Sequence, residues 1–207
     1  MRLFRPCFIA GWLYPEALFR IKTSEKLLCL TFDDGPDPGS SPKLLNILDN
    51  YGIKATFFCT GKAAEKYPEL IDRIKSGGHL IGNHSYSHTD GWKVSAKRYI
   101  ADTERGAKHT SARLFRPPYG RLRLTQYRRL KKSYKIVFWD IMSYDFDKSL
   151  KPEVSFNILL KKIRPGSVIV LHDKPVSSLI TLLPFFIETA INRGYRFVLV
   201  DELKSFS

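Results

Sequence analysis

Short apolar runs separated by longer amphipathic stretches recur from one end of the 207-residue chain to the other, and this alternation narrows the fold more than any single motif. Parallel strands buried on both faces read as almost continuous apolar runs, and joining two of them takes a crossover of helical length. Seven runs fit that description: 27–33, 55–60, 79–83, 113–116, 135–139, 167–172 and 195–200. Helices are expected at 42–51, 68–76, 95–109, 125–132, 152–163 and 178–192, so the chain reads as repeated βα units in one α/β domain around a parallel sheet or barrel. Ser41 before Pro42 suits an N-cap with proline at the first helical position. Gly52, Gly77 and Gly194 follow helical stretches, where a left-handed residue is cheap only for glycine. No internal repeat, low-complexity tract or long linker divides the chain.

The chemistry-bearing residues collect at the ends of these runs. Asp33 and Asp34, His84 and His88, Arg116, Asp145 and His172 all lie at or just past a strand end, the edge where α/β folds build their sites. Thr31-Phe32-Asp33-Asp34-Gly35-Pro36 places two carboxylates at a forced turn, which lets both reach one site with different tasks. The same residues also suit an Asp-Gly turn with a capping aspartate. His84-Ser85-Tyr86-Ser87-His88 spaces two imidazoles at i and i+4, on one side of a helical turn, and Asp34 supplies a third ligand.

One aspartate and two histidines fill three positions of a tetrahedral zinc and leave one open, as in catalytic sites. Such an ion lowers the pKa of a bound water to about 7 and polarises a carbonyl oxygen, which makes hydrolysis the natural reaction class. The same ligands serve non-haem iron oxygenases, so ligand types leave the metal open. Arg116, in Arg116-Pro117-Pro118-Tyr119-Gly120, is placed to hold Asp33 ionised. His172 leaves a buried strand and is suited to protonate a leaving amine, with Asp145 setting its tautomer and raising its pKa. Trp139 and Leu171 are candidates for a small apolar pocket, with core packing as the alternative. His79 reads as a hydrogen-bonded structural residue, and His109 as a helix-end residue favoured by the dipole.

A formal charge of +14, from 34 basic and 20 acidic residues, gives the surface a field that attracts polyanions. No nucleic-acid motif accompanies the basic doublets, and no run approaches the roughly 18 apolar residues of a membrane span. Cys7, Cys29 and Cys59 lack metal spacing, and Cys29 and Cys59 sit in apolar runs as buried thiols. The N-terminus starts basic, but prolines interrupt its apolar stretch and no small-residue cleavage pattern follows. No export signal is read, which leaves cytoplasm and cell envelope both open. Oligomeric state is not legible.

Taken in order, TFDDGP, HSYSH, RPPYG, WDIMSYDF and VLHD resemble the motif set of the polysaccharide deacetylases, carbohydrate esterase family four, also called the NodB homology domain. The resemblance runs from about Leu27 to Leu203. It implies a distorted (β/α) barrel of about seven parallel strands in a single domain, with residues 1–26 packing on it as an N-terminal segment and residues 27–207 forming the catalytic domain. It further implies hydrolysis of N-acetyl or O-acetyl groups on a glycan at one divalent ion, zinc expected and cobalt, nickel or manganese as alternatives. By position, Asp33 matches the general base, Asp34, His84 and His88 the metal ligands, and Arg116 the residue orienting the base. His172 matches the general acid, Asp145 its tuning carboxylate, and Tyr119 the position whose N–H helps hold the oxyanion. Trp139, Phe146, Leu171 and Pro118 are expected to line the substrate pocket, with Phe146 standing where family members often carry tryptophan. The expected partner is an acetylated glycan or oligosaccharide, with electrostatic association with anionic envelope material. The rival functions are hydrolysis of a small amide or imide on the same fold, and a catalytically inactive polyanion-binding protein.

Overall fold

The computed structural model describes residues 4–6, 8–111, 113–175 and 179–201. In chain order its elements are α1 (Phe8–Leu13), β1 (Leu27–Asp33), α2 (Ser41–Asn50), β2 (Thr56–Cys59), α3 (Gly61–Lys66), α4 (Pro68–Ser76), β3 (Leu80–Asn83), α5 (Ala96–Ala107) and β4 (Leu114–Phe115). There follow α6 (Leu124–Leu130), β5 (Lys135–Ile136), β6 (Ile141–Met142), α7 (Pro152–Lys162), β7 (Ser167–His172), α8 (Leu179–Asn192) and β8 (Arg196–Phe197). Seven strands pair in the order β5-β4-β3-β2-β1-β7-β6, all parallel, and β8 adds to the start of β1. The result is a single α/β domain built on a curled half-barrel.

The sequence of β1 explains both the layering and the site. Alternate residues Leu28, Leu30 and Phe32 pack outward with Leu44, Leu45 and Leu48 of α2 and with Leu183 and Ile187 of α8. Cys29 points the other way, into an inner cluster with Phe58, Val137 and Val168. The inner face thus runs from apolar Cys29 to polar Thr31 and Asp33 as the strand approaches its C-terminal end. The expectation that Cys29 and Cys59 are buried thiols holds, while Cys7 lies outside the described residues.

The N-terminal stretch joins the sheet's two arms. Leu18 N–H donates to the Ile136 carbonyl at 2.9 Å, Phe138 N–H donates to the Leu18 carbonyl at 2.8 Å, and Ile21 N–H donates to the Gly166 carbonyl at 2.8 Å. Phe19 stacks on Phe138 with ring centroids 4.7 Å apart. No helix among the described residues is long and apolar enough to cross a membrane.

Several local expectations are revised. The α2 N-cap is Ser40 rather than Ser41, and neither hydroxyl caps the helix, because both are turned onto Asp173. Gly52 and Gly194 are left-handed as expected, but Gly77 has φ −71° and its neighbour Gly78 takes the positive φ of 75° instead. Three elements escaped the sequence pattern: α1 and α3 have only six residues each, and β6 has two, too few for a periodicity to register. Ser178, expected to open the last helix, lies outside the described residues.

Candidate active site

The site is assembled where β1, β3, β4 and β7 end. Asp33 is the last residue of β1, buried and inward-facing by the strand's alternation. Asp34 then takes φ 80°, which breaks the alternation and lets its carboxylate reach the same mouth. Gly35 is required here, since a Cβ would sit 2.2 Å from the Asp173 carboxylate. Asp173 is itself fixed by the Ser40 and Ser41 hydroxyls at 2.6 and 2.5 Å, and burial pushes its pKa up to about 6. The carboxylate turn is therefore shaped from behind by a residue that takes no place in the cavity it supports.

Arg116 follows β4 and is completely buried. Its guanidinium donates to Asp33 Oδ1 at 2.6 Å, Thr31 Oγ1 at 2.7 Å, and the carbonyls of Phe138 and Val137 at 2.9 and 3.2 Å. The Phe58 ring covers it at 4.1 Å. A charge this buried is tolerable only when paired and hydrogen-bonded, and Arg116 has an ion pair and four hydrogen bonds. Arg116 thus occupies one oxygen of Asp33 and leaves Oδ2 toward the mouth, 3.9 Å from His84 Nε2.

The metal-type donors converge on the other side of Asp33. His84 Nδ1 lies 2.8 Å from the Arg116 carbonyl. A carbonyl only accepts, so the proton sits on Nδ1 and Nε2 presents a lone pair. Burial lowers the His84 pKa to about 4 against the opposing pull of Asp33 and Asp34, so the ring is neutral near pH 7. Asp34 Oδ1 is 3.0 Å from His88 Nε2 and 3.8 Å from His84 Nε2. Tetrahedral ligands at ordinary zinc distances stand about 3.3 Å apart, so these separations fit a first-row divalent ion. Among the described residues, Asp34, His84 and His88 are the group of three such donors that lie within 4.8 Å of one another. Burial favours the neutral Asp34, yet the His88 hydrogen bond and the fields of the surrounding histidines outweigh it and hold the carboxyl well below its usual range.

The route to this set differs from the helical turn expected from the i, i+4 spacing. Residues 84–88 form no helix; Ser85 and His88 instead have φ 61° and 56°, and the two rings come to 4.9 Å. The loop is anchored by Asp102, which accepts from the Ser87 N–H at 3.2 Å and also from the Ser87 hydroxyl.

His172 ends β7. Its Nδ1 is 2.8 Å from Asp145 Oδ1, and its backbone N–H donates to Asp145 Oδ2 at 2.9 Å. Asp145 therefore sets both ring and backbone, with the Ser143 hydroxyl as a further donor to it. Burial opposes the charged imidazole, but the Asp145 charge and hydrogen bond, helped by Asp33 and Asp34, raise the pKa above 6.5. The protonated form is then favoured up to a higher pH than in a free histidine, and the stability gained from the pair is complete below 6.5 and lost as pH rises through the raised value. Asp145→Asn removes the two main supports and leaves burial less opposed. The alkaline limb of the kcat/KM profile is expected to move to lower pH; a limb that stays in place would show that His172 is not the group titrating.

A cavity of about 430 Å³ joins these parts, with Asp33, Asp34, His84, His88 and His172 in its wall. Trp139, Phe146 and Tyr119 line it as well, and Tyr119 has φ 58° and lies edge-on to His88 at 4.5 Å. Phe146 packs edge-on against His172 at 4.5 Å. Two expected pocket residues are elsewhere. Leu171 neighbours inward-facing His172 on β7, so alternation turns it into the helix-side core with Leu183. Pro118 is buried, and Pro117 takes its place in the wall. His79 accepts the Ala55 N–H at 3.1 Å as a structural residue, and His109 stands 3.7 Å from Glu65, outside the site. Sequence reasoning missed Met142, Tyr144, Arg121 and Lys174, which also line the cavity. The last two were detectable as charges directly following the RPPYG and VLHD motifs.

Comparison with known proteins agrees with this geometry. The chain is 36% identical over 186 residues to a peptidoglycan-N-acetylglucosamine deacetylase of Bacillus cereus, covering 85% of this chain and 67% of that protein. It is 29% identical over 198 residues to a peptidoglycan-N-acetylmuramic acid deacetylase of Bacillus subtilis, covering 91% and 75%. Among solved structures, a peptidoglycan N-acetylglucosamine deacetylase in complex with a naphthyl N-hydroxybenzamide superposes with a TM-score of 0.85 at 32% identity, over 96% of this chain and 97% of that one. The family model described as polysaccharide deacetylase matches residues 20–138, more than half of the chain and every strand from β1 to β5. With two relatives, a fold and a donor set all in agreement, this chain belongs to the polysaccharide deacetylase family.

Proposed function

We propose that this protein removes the N-acetyl group from amino sugars of a bacterial-type cell-wall glycan, with zinc as its divalent ion. The observation that carries the reading is the placing of two separately supported acid–base pairs, Asp33 with Arg116 and Asp145 with His172, around one cavity that also holds the Asp34, His84 and His88 donors. A bound divalent ion supplies Lewis-acid polarisation of the acetamide carbonyl and activation of water.

The protein's own residues supply the proton traffic. Asp33, held through Oδ1 by Arg116, accepts a proton from the attacking water through the oxygen that Arg116 leaves open. Charge then develops on the former carbonyl oxygen, where the Tyr119 N–H is assigned as a donor by its place in the motif. His172, held in one orientation by Asp145, delivers a proton to the departing nitrogen as the C–N bond breaks. The products are acetate and a free amino sugar. Both pairs are intact, which favours catalysis over a purely polyanion-binding role. The long aromatic wall of Tyr119, Trp139, Tyr144 and Phe146 suits stacking on sugar rings and favours a saccharide over a small amide or imide.

Acetate release from peptidoglycan fragments, chitooligosaccharides, acetylated xylan and small amides, with metal content measured alongside, tests the reading. No release from any saccharide by the zinc-loaded protein would sink it. His172→Ala is expected to keep the metal and lower turnover on amides by roughly 10²–10⁴-fold, the usual cost of losing a general acid. An activated aryl acetate, whose leaving group needs little protonation, should be affected far less. Equal losses on amide and aryl ester would count against the assigned role.

A further inference from the structure

A second cavity, of about 290 Å³, adjoins the active-site cavity, and the two share Asp34 and Lys174 in their walls. Lys62 and Lys66 also line it. Both lysines are exposed and lie at i and i+4 on α3, so the helix presents them on one side. Tyr67, with Lys66 4.8 Å from its ring centre, adds a flat apolar surface.

Charge pairing around the two cavities is uneven. Arg116 faces Asp33, Arg121 faces Asp90, and His172 faces Asp145. Lys174 Nζ instead lies 2.7 Å from Asp34 Oδ2, a carboxylate whose other oxygen belongs to the metal-type donor set. A divalent ion on that set offsets the Asp34 charge and leaves Lys174 in excess. Of the other carboxylates in the second cavity, Asp173 is buried under the Ser40 and Ser41 hydroxyls. Asp37 accepts the Gly39 N–H. With an ion offsetting Asp34 and Asp173 buried behind the turn, Asp37 is the half-exposed carboxylate left facing the three lysines, beside the place where the acetamide is to be cleaved.

We propose that this cavity is an anion subsite, in which Lys62, Lys66 and Lys174 bind a carboxylate carried by the glycan next to the sugar being deacetylated. The inference rests on the deacetylase reading and adds to it a substrate class, an acidic rather than a neutral polymer. A carboxylate can arrive as an acidic ether on a sugar ring or as the end of a peptide branch. The recognition chemistry is the same for both.

Calorimetry with the zinc-loaded protein tests it, using a neutral N-acetylated tetrasaccharide, a matched saccharide with a ring-borne carboxylate, one with a short peptide branch, and the methyl esters of the two acids. The wild type is expected to bind at least one free acid about tenfold more tightly than its ester, the size of a few part-exposed charge contacts. The acid that gives the ratio identifies the source. In Lys62→Gln/Lys66→Gln the ratio should fall to a few-fold or less, while affinity for the neutral tetrasaccharide and its acetate release stay unchanged. Arginine at both positions should restore it. Lys174→Met should lower the ratio further with zinc content unaltered. A ratio near one for both acids in the wild type, or equal weakening of neutral and acidic ligands in the variants, overturns the proposal. Acetate release from the neutral tetrasaccharide reports separately on the deacetylase reading: if release is absent but the acid-to-ester ratio persists, the reaction assignment fails and the anion subsite stands.

Discussion

Asp33→Asn is expected to abolish deacetylation, by roughly 10³-fold or more, with the metal content and the fold retained. Asparagine matches aspartate in shape but cannot take a proton from water. The buried Arg116 would still find an amide oxygen at the position of Asp33 Oδ1, and its bonds to Thr31, Val137 and Phe138 are independent of residue 33. An uncompensated Arg116 charge is the expected side effect, destabilising by about 3–5 kcal/mol, which a denaturant titration would report separately from activity. Asp34→Asn gives a contrasting outcome. A neutral amide oxygen is a poorer ligand for a divalent cation, so metal is lost first and activity with it. Metal loss in Asp33→Asn with metal retained in Asp34→Asn would reverse the two roles, and near-normal turnover in Asp33→Asn would remove the proposed base.

The second large effect is expected for His84→Ala. It removes one of three protein donors, and the remaining pair, Asp34 and His88, is not enough to hold a zinc ion tightly. Zinc content and hydrolysis should fall together to background. A thermal readout makes the test independent of activity. Ligand at a hundredfold excess over Kd stabilises the native state by about 2.7 kcal/mol, which for a chain of this size raises Tm by roughly 5–10 °C. Wild type should show that shift on adding zinc, and His84→Ala should not. The variant also leaves the Arg116 carbonyl without its ring partner, so its metal-free Tm is expected to be lower as well. A full zinc-dependent Tm shift in the variant would place the ion elsewhere.

What the sequence by itself determined was the set of parts. Strand and helix positions follow from burial periodicity, which is a local property. Apart from Thr31 in β1 and Ser167 at the start of β7, both strands are apolar up to Asp33 and His172, so their ends were legible without any tertiary information. The motif residues were legible for the same reason, because strand ends in parallel sheets converge on one edge. Even the partnerships Asp33 with Arg116 and Asp145 with His172 could be chosen from charge and position alone.

What only the tertiary structure decided was direction. Side-chain orientation depends on backbone conformation at single residues, and positive φ at Asp34, Ser85 and His88 replaces the helical turn that spacing suggests. The alternation of β7 sends Leu171 outward, and the demand of buried Asp173 for donors draws Ser40 and Ser41 away from capping. The lysine-lined cavity arises because α3, a six-residue helix, and the residue after Asp173 meet across Asp34, over a separation in sequence of more than a hundred residues. Local pattern carries no information about such a meeting; the packing of β1 between β2 and β7 creates it.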